Sequence, residues 1–286
     1  MTKLMDRLLM FLIGVPAAIS IILFLPHKHH LAANITVIIL SALGAAEFAG
    51  ILKKQSHPIG AVEAGILGIS GPLAMTLAVS FGFTNQSVSI IFIAGASWLL
   101  VSRVFSSENA LKDTTGRVTA GFAVMMYPGV FMTWIVRMTR LPRSEMVILI
   151  YLLIVFANDS AAWAAGLLFG KGNRGIINAS PNKSLAGFIG GLAVSTLIGL
   201  GTVFYIPEVF HSKQIPSPVA GIILGFLSAA AATLGDLGES AIKRSSNVKD
   251  SGNIIPGRGG VLDTIDSLSL AAPVYYTSYW FLFANA

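Results

Sequence analysis

The sequence has no cysteine among its 286 residues, which excludes a disulfide framework and any thiolate metal site. Charge is scarce as well. Asp, Glu, Lys and Arg make up 11% of the chain against 54% hydrophobic residues, and the mean hydropathy is +0.76. Stretches of twenty or more nearly uncharged residues exclude an ordinary soluble domain and indicate a polytopic membrane protein. There is no G-x-x-x-x-G-K-[ST] phosphate loop, since GLLFGKGN lacks both the spacing and the hydroxyl, and there is no H-E-x-x-H or G-x-S-x-G. No internal repeat and no interdomain linker stands out. The net charge of +6 does not point to nucleic acid, because the basic residues follow membrane topology instead.

What is present is a series of apolar runs. A bilayer core of ~30 Å takes about 20 helical residues to cross. On that ruler nine spans are predicted: 8–25, 31–52, 60–83, 87–104, 118–136, 145–169, 185–206, 217–241 and 268–284. Pro16, Gly71-Pro72 and Pro128-Gly129 do not veto helices, because membrane helices tolerate both residues. The first run has Lys3 and Arg7 ahead of it but is too long for a signal peptide and lacks a cleavage site, so it reads as an uncleaved span. With the amino terminus cytoplasmic, 14 of 19 basic residues fall on the cytoplasmic side, and Lys28, Arg137, Arg140, Arg143 and Lys213 fall outside. The cluster RMTRLPR runs against that rule locally. The histidines, at 27, 29, 30, 57 and 211, sit in short loops and read as polar edge residues.

Polar residues inside the spans are costly and therefore informative. Asn158-Asp159-Ser160 lies near the middle of the sixth span, where an ionised carboxylate costs ~2.5–3.5 kcal/mol or more without a partner or a wet cavity. Asp236, Glu239, Ser240 and Lys243 recur three and four apart at the end of the eighth span, on one helical face. Residues 240 to 267, SAIKRSSNVKDSGNIIPGRGGVLDTIDS, hold seven of the chain's 32 charged residues and four glycines. Asp263 and Asp266 stand at the entrance to the last span, and Gly259-Gly260 before them are expected to leave N–H groups open to a ligand at a helix start. Asp236 and Asp263 supply the oxygen ligands that suit Mg²⁺. Lys243, Arg244, Lys249 and Arg258 suit phosphate oxygens. The pattern reads as a metal–phosphate site at the cytoplasmic interface. The polar stretch 171–184 is expected on the same face.

At these residues the sequence resembles the CDP-diacylglycerol synthase family, also called phosphatidate cytidylyltransferases. The family signature is matched by Ser240, Lys243-Arg244, Lys249-Asp250, Pro256-Gly257-Arg258-Gly259-Gly260 and Asp263-Thr264-Ile265-Asp266, after GDLGES. NDSAAWAAGLLFGK (158–171) and SPNKSLAGFIGG (180–191) are similar to family motifs too. Arg258 stands where His is usual, Thr264 where Arg is usual, Ala186 for an acidic residue and Leu167 for a basic one.

The resemblance implies an all-α polytopic membrane protein of about nine transmembrane helices with a polar cavity at the cytoplasmic interface. Residues 1–144 would form the first five spans and 145–286 the catalytic region. It implies condensation of CTP with phosphatidate to CDP-diacylglycerol and pyrophosphate, with Mg²⁺ and room for a second cation. Asp236, Lys243, Arg244, Lys249, Asp250, Asp263 and Asp266 would be catalytic, with Asp236 and Asp263 on the metal. Asn158, Asp159, Ser160, Lys171, Ser180, Lys183, Ser240, Arg258, Gly259 and Gly260 would bind substrate. The setting implied is the cytoplasmic membrane of a prokaryote, in contact with membrane lipids. Small-residue stretches such as GFIGG suit helix packing within the chain or in a homodimer. The rival readings are a CTP-dependent polyprenol or lipid kinase, and an ion-coupled transporter using Asp159 and Asp236.

Overall fold

A computed structural model of the chain describes residues 3–55 and 59–284, with the backbone alone for residues 3–11. His57 and the side chains of Lys3 and Arg7 lie outside the described residues. The elements are α1 (Lys3–Phe24), α2 (His27–Lys53), α3 (Ala61–Phe81), α4 (Gln86–Val101), α5 (Glu108–Lys112) and α6 (Thr114–Val124). A π-helical turn, Met125–Val130, leads into α7 (Phe131–Met138). Then come α8 (Ser144–Phe169), α9 (Leu185–Tyr205), α10 (Ser217–Ser245) and α11 (Leu262–Tyr279). The described residues contain no β-strand. Two isolated bridges occur, Arg174 with Ser184 and Ile255 with Gly259.

Each predicted span falls largely on helix. Six helical stretches are long and apolar enough to cross a bilayer: His27–Lys53, Ala61–Phe81, Thr114–Met138, Ser144–Phe169, Leu185–Tyr205 and Ser217–Ser245. The chain is therefore a multi-pass membrane protein. Three of the predicted spans, on α1, α4 and α11, do not reach that measure among the described residues. In α2, Lys28, His29 and His30 have left-handed φ angles of 49°, 55° and 55°, so the right-handed helix starts near Leu31, where the apolar run begins.

The chain forms two compact units, one of Met1–Arg140 with Ile242–Ile265, the other of Leu141–Ala241 with Asp266–Ala286. The segment 242–265 rejoins the amino-terminal unit, which no reading of local sequence foretells. In that unit α2 packs along α3, and α3 also meets α4, α7 and the π turn. The core includes Phe48, Leu67, Met75, Leu99, Met125 and Met132, and it takes in Val261, Leu262 and Ile265 from the far end of the chain. The π turn follows from Pro128, which has no N–H and crowds the preceding turn. Its carbonyl accepts the Ser41 hydroxyl of α2, which ties the turn to a neighbouring helix. Arg117 of α6 pairs with Glu63 of α3 and donates to Ser102 Oγ at 2.8 Å.

In the second unit α8 packs along α9, and the GFIGG stretch makes that contact. A Cβ on Gly187 would meet the Ala162 carbonyl at 2.7 Å, and one on Gly191 would meet Asn158 Oδ1 at 2.7 Å. These small residues thus serve packing within the chain. Farther along, Gly199 of α9 faces Gly221 and Gly225 of α10, and a Cβ on Gly199 would lie 2.7 Å from Gly225 N. Backbones approach this closely only where side chains are missing, and in a membrane such van der Waals contact is a main source of helix association. Buried hydroxyls are satisfied across helices: Tyr151 donates to the Leu268 carbonyl at 2.6 Å and Tyr275 to the Val147 carbonyl at 2.8 Å. The RMTRLPR arginines all have local partners. Arg137 lies over the Trp134 ring at 4.7 Å, Arg140 donates to Asn85 Oδ1 at 3.1 Å, and Arg143 Nε donates to Glu145 Oε1 at 2.9 Å. Gly199→Val is expected to force α9 and α10 apart and lower the thermal midpoint in detergent by several degrees, whereas Gly201→Val, where a Cβ meets only Tyr205 at 3.9–4.0 Å, should leave it nearly unchanged.

Candidate active site

In the amino-terminal unit the signature residues gather around one carboxylate. Asp263, in the first turn of α11, accepts at Oδ2 from Ser251 N at 2.9 Å, Ser251 Oγ at 2.9 Å and Gly260 N at 2.7 Å. Its Oδ1 is paired with the Lys243 ammonium from the last turn of α10. Both side chains are largely buried, with relative exposures of 11% for Lys243 and 8% for Asp263. Burial alone would raise the Asp263 pKa, but the bonds from Lys243, Gly260 and Ser251 and the lysine's charge outweigh it, so the carboxyl is held below its ordinary value.

The loop between Lys243 and Asp263 is closed locally. Ile255 N donates to Gly259 O at 2.8 Å and Gly259 N to Ile255 O at 3.0 Å, a small stapled turn with Arg258 at its exposed tip. Gly259 has a φ of 110°, and a Cβ there would meet Asp263 Oδ2 at 2.7 Å and Asp250 Cβ at 3.0 Å. Only glycine combines that backbone with that space. Arg244, Lys249, Asp250 and Arg258 are all exposed on this segment.

One participant went unforeseen. Glu47 of α2 accepts from Val261 N at 3.0 Å and Leu262 N at 2.8 Å, and its carboxylate lies 3.0 Å from Ser251 Oγ, whose one proton it shares with Asp263. The glycines were expected to leave N–H groups open at the start of α11; the structure corrects this, because the N–H groups of Gly259, Gly260, Val261 and Leu262 are all engaged by protein acceptors. Gly260 instead makes space, since a Cβ there would strike Ser251 Oγ and the Glu47 carboxylate. Glu47 was visible in sequence as the lone acid of the 31–52 run. Its partner 214 residues away was not.

In the second unit Asp236 of α10 is paired with Lys183. Each side chain is less than a third exposed, 29% and 28%, and Ser240 Oγ lies 3.5 Å from Asp236 Oδ1. The 171–184 loop presents Lys183 through several short contacts. Gly175 N donates to Pro181 O at 2.9 Å, Leu185 N to Asn173 O at 3.0 Å, and Lys183 N to Ser180 O at 3.1 Å. Ser184 then caps α9, its Oγ accepting from Gly187 N at 3.1 Å. Lys171 is exposed at the loop entrance. On α8, Asn158 Nδ2 donates to Thr233 Oγ1 at 3.2 Å and lies 3.5 Å from Asp159 Oδ1, while its own Oδ1 is buried with no hydrogen-bond partner. Ser160 turns back on its helix, donating to Phe156 O at 2.7 Å. Asp266 is buried in the first turns of α11.

Among the described residues no three His, Asp or Glu side chains form a group able to hold a metal. Asp236 in one unit and Asp263 in the other are each oxygen donors of the kind a hard cation takes, and each is paired with one lysine.

Removing one partner of a buried pair strands the other charge, at about 3–5 kcal/mol. Asp263→Asn should therefore lower the thermal midpoint clearly, and adding Lys243→Met should restore part of the loss. Because the folded-state pKa of Asp263 is depressed, its stabilisation is fully present above the unfolded value of about 3.9 and is lost as pH falls through the folded value. Wild-type acid unfolding should accordingly contain a component that Asp263→Asn abolishes.

A profile of the cytidylyltransferase family matches residues 5–282. The chain is 32% identical over 207 residues to the phosphatidate cytidylyltransferase of Haemophilus influenzae, covering 69% of this chain and 71% of that protein. It is 30% identical over 268 residues to that of Staphylococcus aureus, covering 90% and 94%. Against that of Bacillus subtilis it is 33% identical over 181 residues, covering 62% and 63%. With a match that runs over nearly its whole length, through the paired lysines and carboxylates described above, the chain belongs to the cytidylyltransferase family.

Proposed function

We infer that this chain condenses CTP with phosphatidate to give CDP-diacylglycerol and pyrophosphate. The observation that carries the reading is the state of the basic residues. Two lysines, Lys183 and Lys243, are fixed on carboxylates, while Lys171, Arg244, Lys249 and Arg258 stand exposed on the same short segments. Such an arrangement suits a polyanion that arrives from water and is gripped at several oxygens.

A phosphate oxygen of phosphatidate forms a bond to the α-phosphorus of CTP, and the bond from that phosphorus to the bridging oxygen breaks, releasing pyrophosphate. The phosphate nucleophile is already ionised at neutral pH, so no general base is needed. The barrier lies in bringing two anions together. Exposed cations neutralise them, and fixed lysines hold the reacting groups in line. Arg258 contributes charge and not proton transfer. Asp236 and Asp263 are the carboxylates that would hold Mg²⁺. When bound, Mg²⁺ supplies further charge neutralisation at the nucleotide's phosphate oxygens. Asn158, Asp159 and Ser160 would line the substrate region, with Ser180, Ser240, Gly259 and Gly260 supporting the loops and Asp250 and Asp266 completing the acidic set.

The same reading takes the chain across the membrane nine times, adding α1, α4 and α11 to the six clear spans, with the polar segments 171–184 and 243–266 each on the cytoplasmic side. The acyl chains of phosphatidate would remain in lipid.

Purified protein supplied with CTP and Mg²⁺ should release pyrophosphate only when phosphatidate is added, and chelation should stop it. Asp236→Asn should reduce turnover more than about 100-fold while the protein stays monodisperse. Release of CDP in place of pyrophosphate would assign a kinase. Ion counterflow in liposomes without nucleotide would assign a transporter.

A further inference from the structure

Glu47 lies six residues before the end of α2, about 9 Å along the helix, in a run where an unpaired carboxylate is expensive. It is half-buried and bonded to three donors, all from the segment that follows α10. One turn earlier on α2, Gly44 leaves space that Ile265 and Leu262 fill, 3.0 and 3.6 Å from where its Cβ would be. Gly252 and Gly260 are likewise positions where a Cβ would collide with the Glu47 carboxylate. Past the helix end, Gln55 donates to the Ser245 carbonyl. Helix α2 is thus a template for the entire stretch from the end of α10 to the start of α11. Glu47 is a charged anchor of that template, and the Ser251 hydroxyl lies between it and Asp263.

We propose that Glu47 is a positioning residue for nucleotide binding: through Val261, Leu262 and Ser251 it fixes the 246–260 segment on α2, and so sets where Lys249 and Arg258 meet CTP. The proposal rests on the cytidylyltransferase reading for its kinetic consequence, though not for the tie itself. A glutamine at position 47 has the same shape but offers one acceptor oxygen in place of two, and its NH₂ would oppose a backbone N–H.

The test compares wild type with Glu47→Gln, Ser251→Ala and the double variant in detergent. Hydrogen–deuterium exchange at Val261 and Leu262 should quicken at least tenfold in Glu47→Gln, in line with losing a bond to a charged acceptor. KM for CTP should rise about tenfold, with the thermal midpoint within a few degrees of wild type. The division between constants decides the role: a smaller folded fraction lowers apparent kcat and leaves KM unchanged, whereas misplaced loop cations raise KM. Ser251→Ala should raise KM several-fold, and the double variant should be little worse than Glu47→Gln alone, because both act through one contact. Unchanged exchange, or faster exchange with KM within twofold of wild type, would overturn the proposal. Should Glu47→Gln not fold, an unchanged KM in Ser251→Ala overturns it equally. Wild-type protein inert toward CTP and phosphatidate would instead remove the enzymatic reading, with the exchange result still deciding the tie.

Discussion

An ionised carboxylate in a bilayer or a packed helix bundle must be given partners, because water is not there to solvate it. That constraint organises this protein. Asp263 takes two backbone N–H groups and Lys243, Asp236 takes Lys183, Glu63 takes Arg117, and Glu47 takes two backbone N–H groups, with the single Ser251 hydroxyl proton lying between Asp263 and Glu47. Apart from the bonds to Asp263 from its own motif, these contacts join stretches of chain that local sequence treats as separate. Electrostatic need, more than apolar packing, therefore decides how the loops lie, since apolar helix faces have little preference between a neighbouring helix and lipid.

Two loops gain definition this way. Neither has regular structure, and each is closed by a single isolated bridge, Arg174 with Ser184 in one and Ile255 with Gly259 in the other. In or beside each a lysine is fixed on a helix carboxylate, Lys183 on Asp236 and Lys243 on Asp263, while other cations remain exposed. A catalyst that joins two phosphates has reason to be built so. Fixed charges need no reorganisation when the transition state forms, and exposed ones admit a hydrated polyanion and its counter-ions.

The apolar runs were legible because twenty uncharged residues in a row have few alternatives to a membrane helix, and helix does fall on each of them. Pro128 was legible as tolerated, but its π turn was not, nor was the bond its carbonyl accepts there from the Ser41 hydroxyl, because Ser41 lies on a helix 87 residues away. GFIGG was legible as a packing surface. That it meets α8 within the same chain depended on the fold. Among the site residues, the lysines and aspartates could be named from spacing and family likeness, whereas the partners Lys183–Asp236 and Lys243–Asp263 could not be paired from spacing, and Glu47, Ser251 and Thr233 went unremarked.

By itself the sequence determined the class of molecule, its helical stretches, and which polar residues are too costly to be incidental, because hydropathy and charge are properties of the residues themselves. Only the tertiary structure decided which carboxylate neutralises which cation, why Gly259 and Gly260 must lack side chains, and how residues 242–265 return to helices at the other end of the chain. Those are matters of distance between remote segments, set by the requirement that each buried charge and each helix-end N–H find a partner.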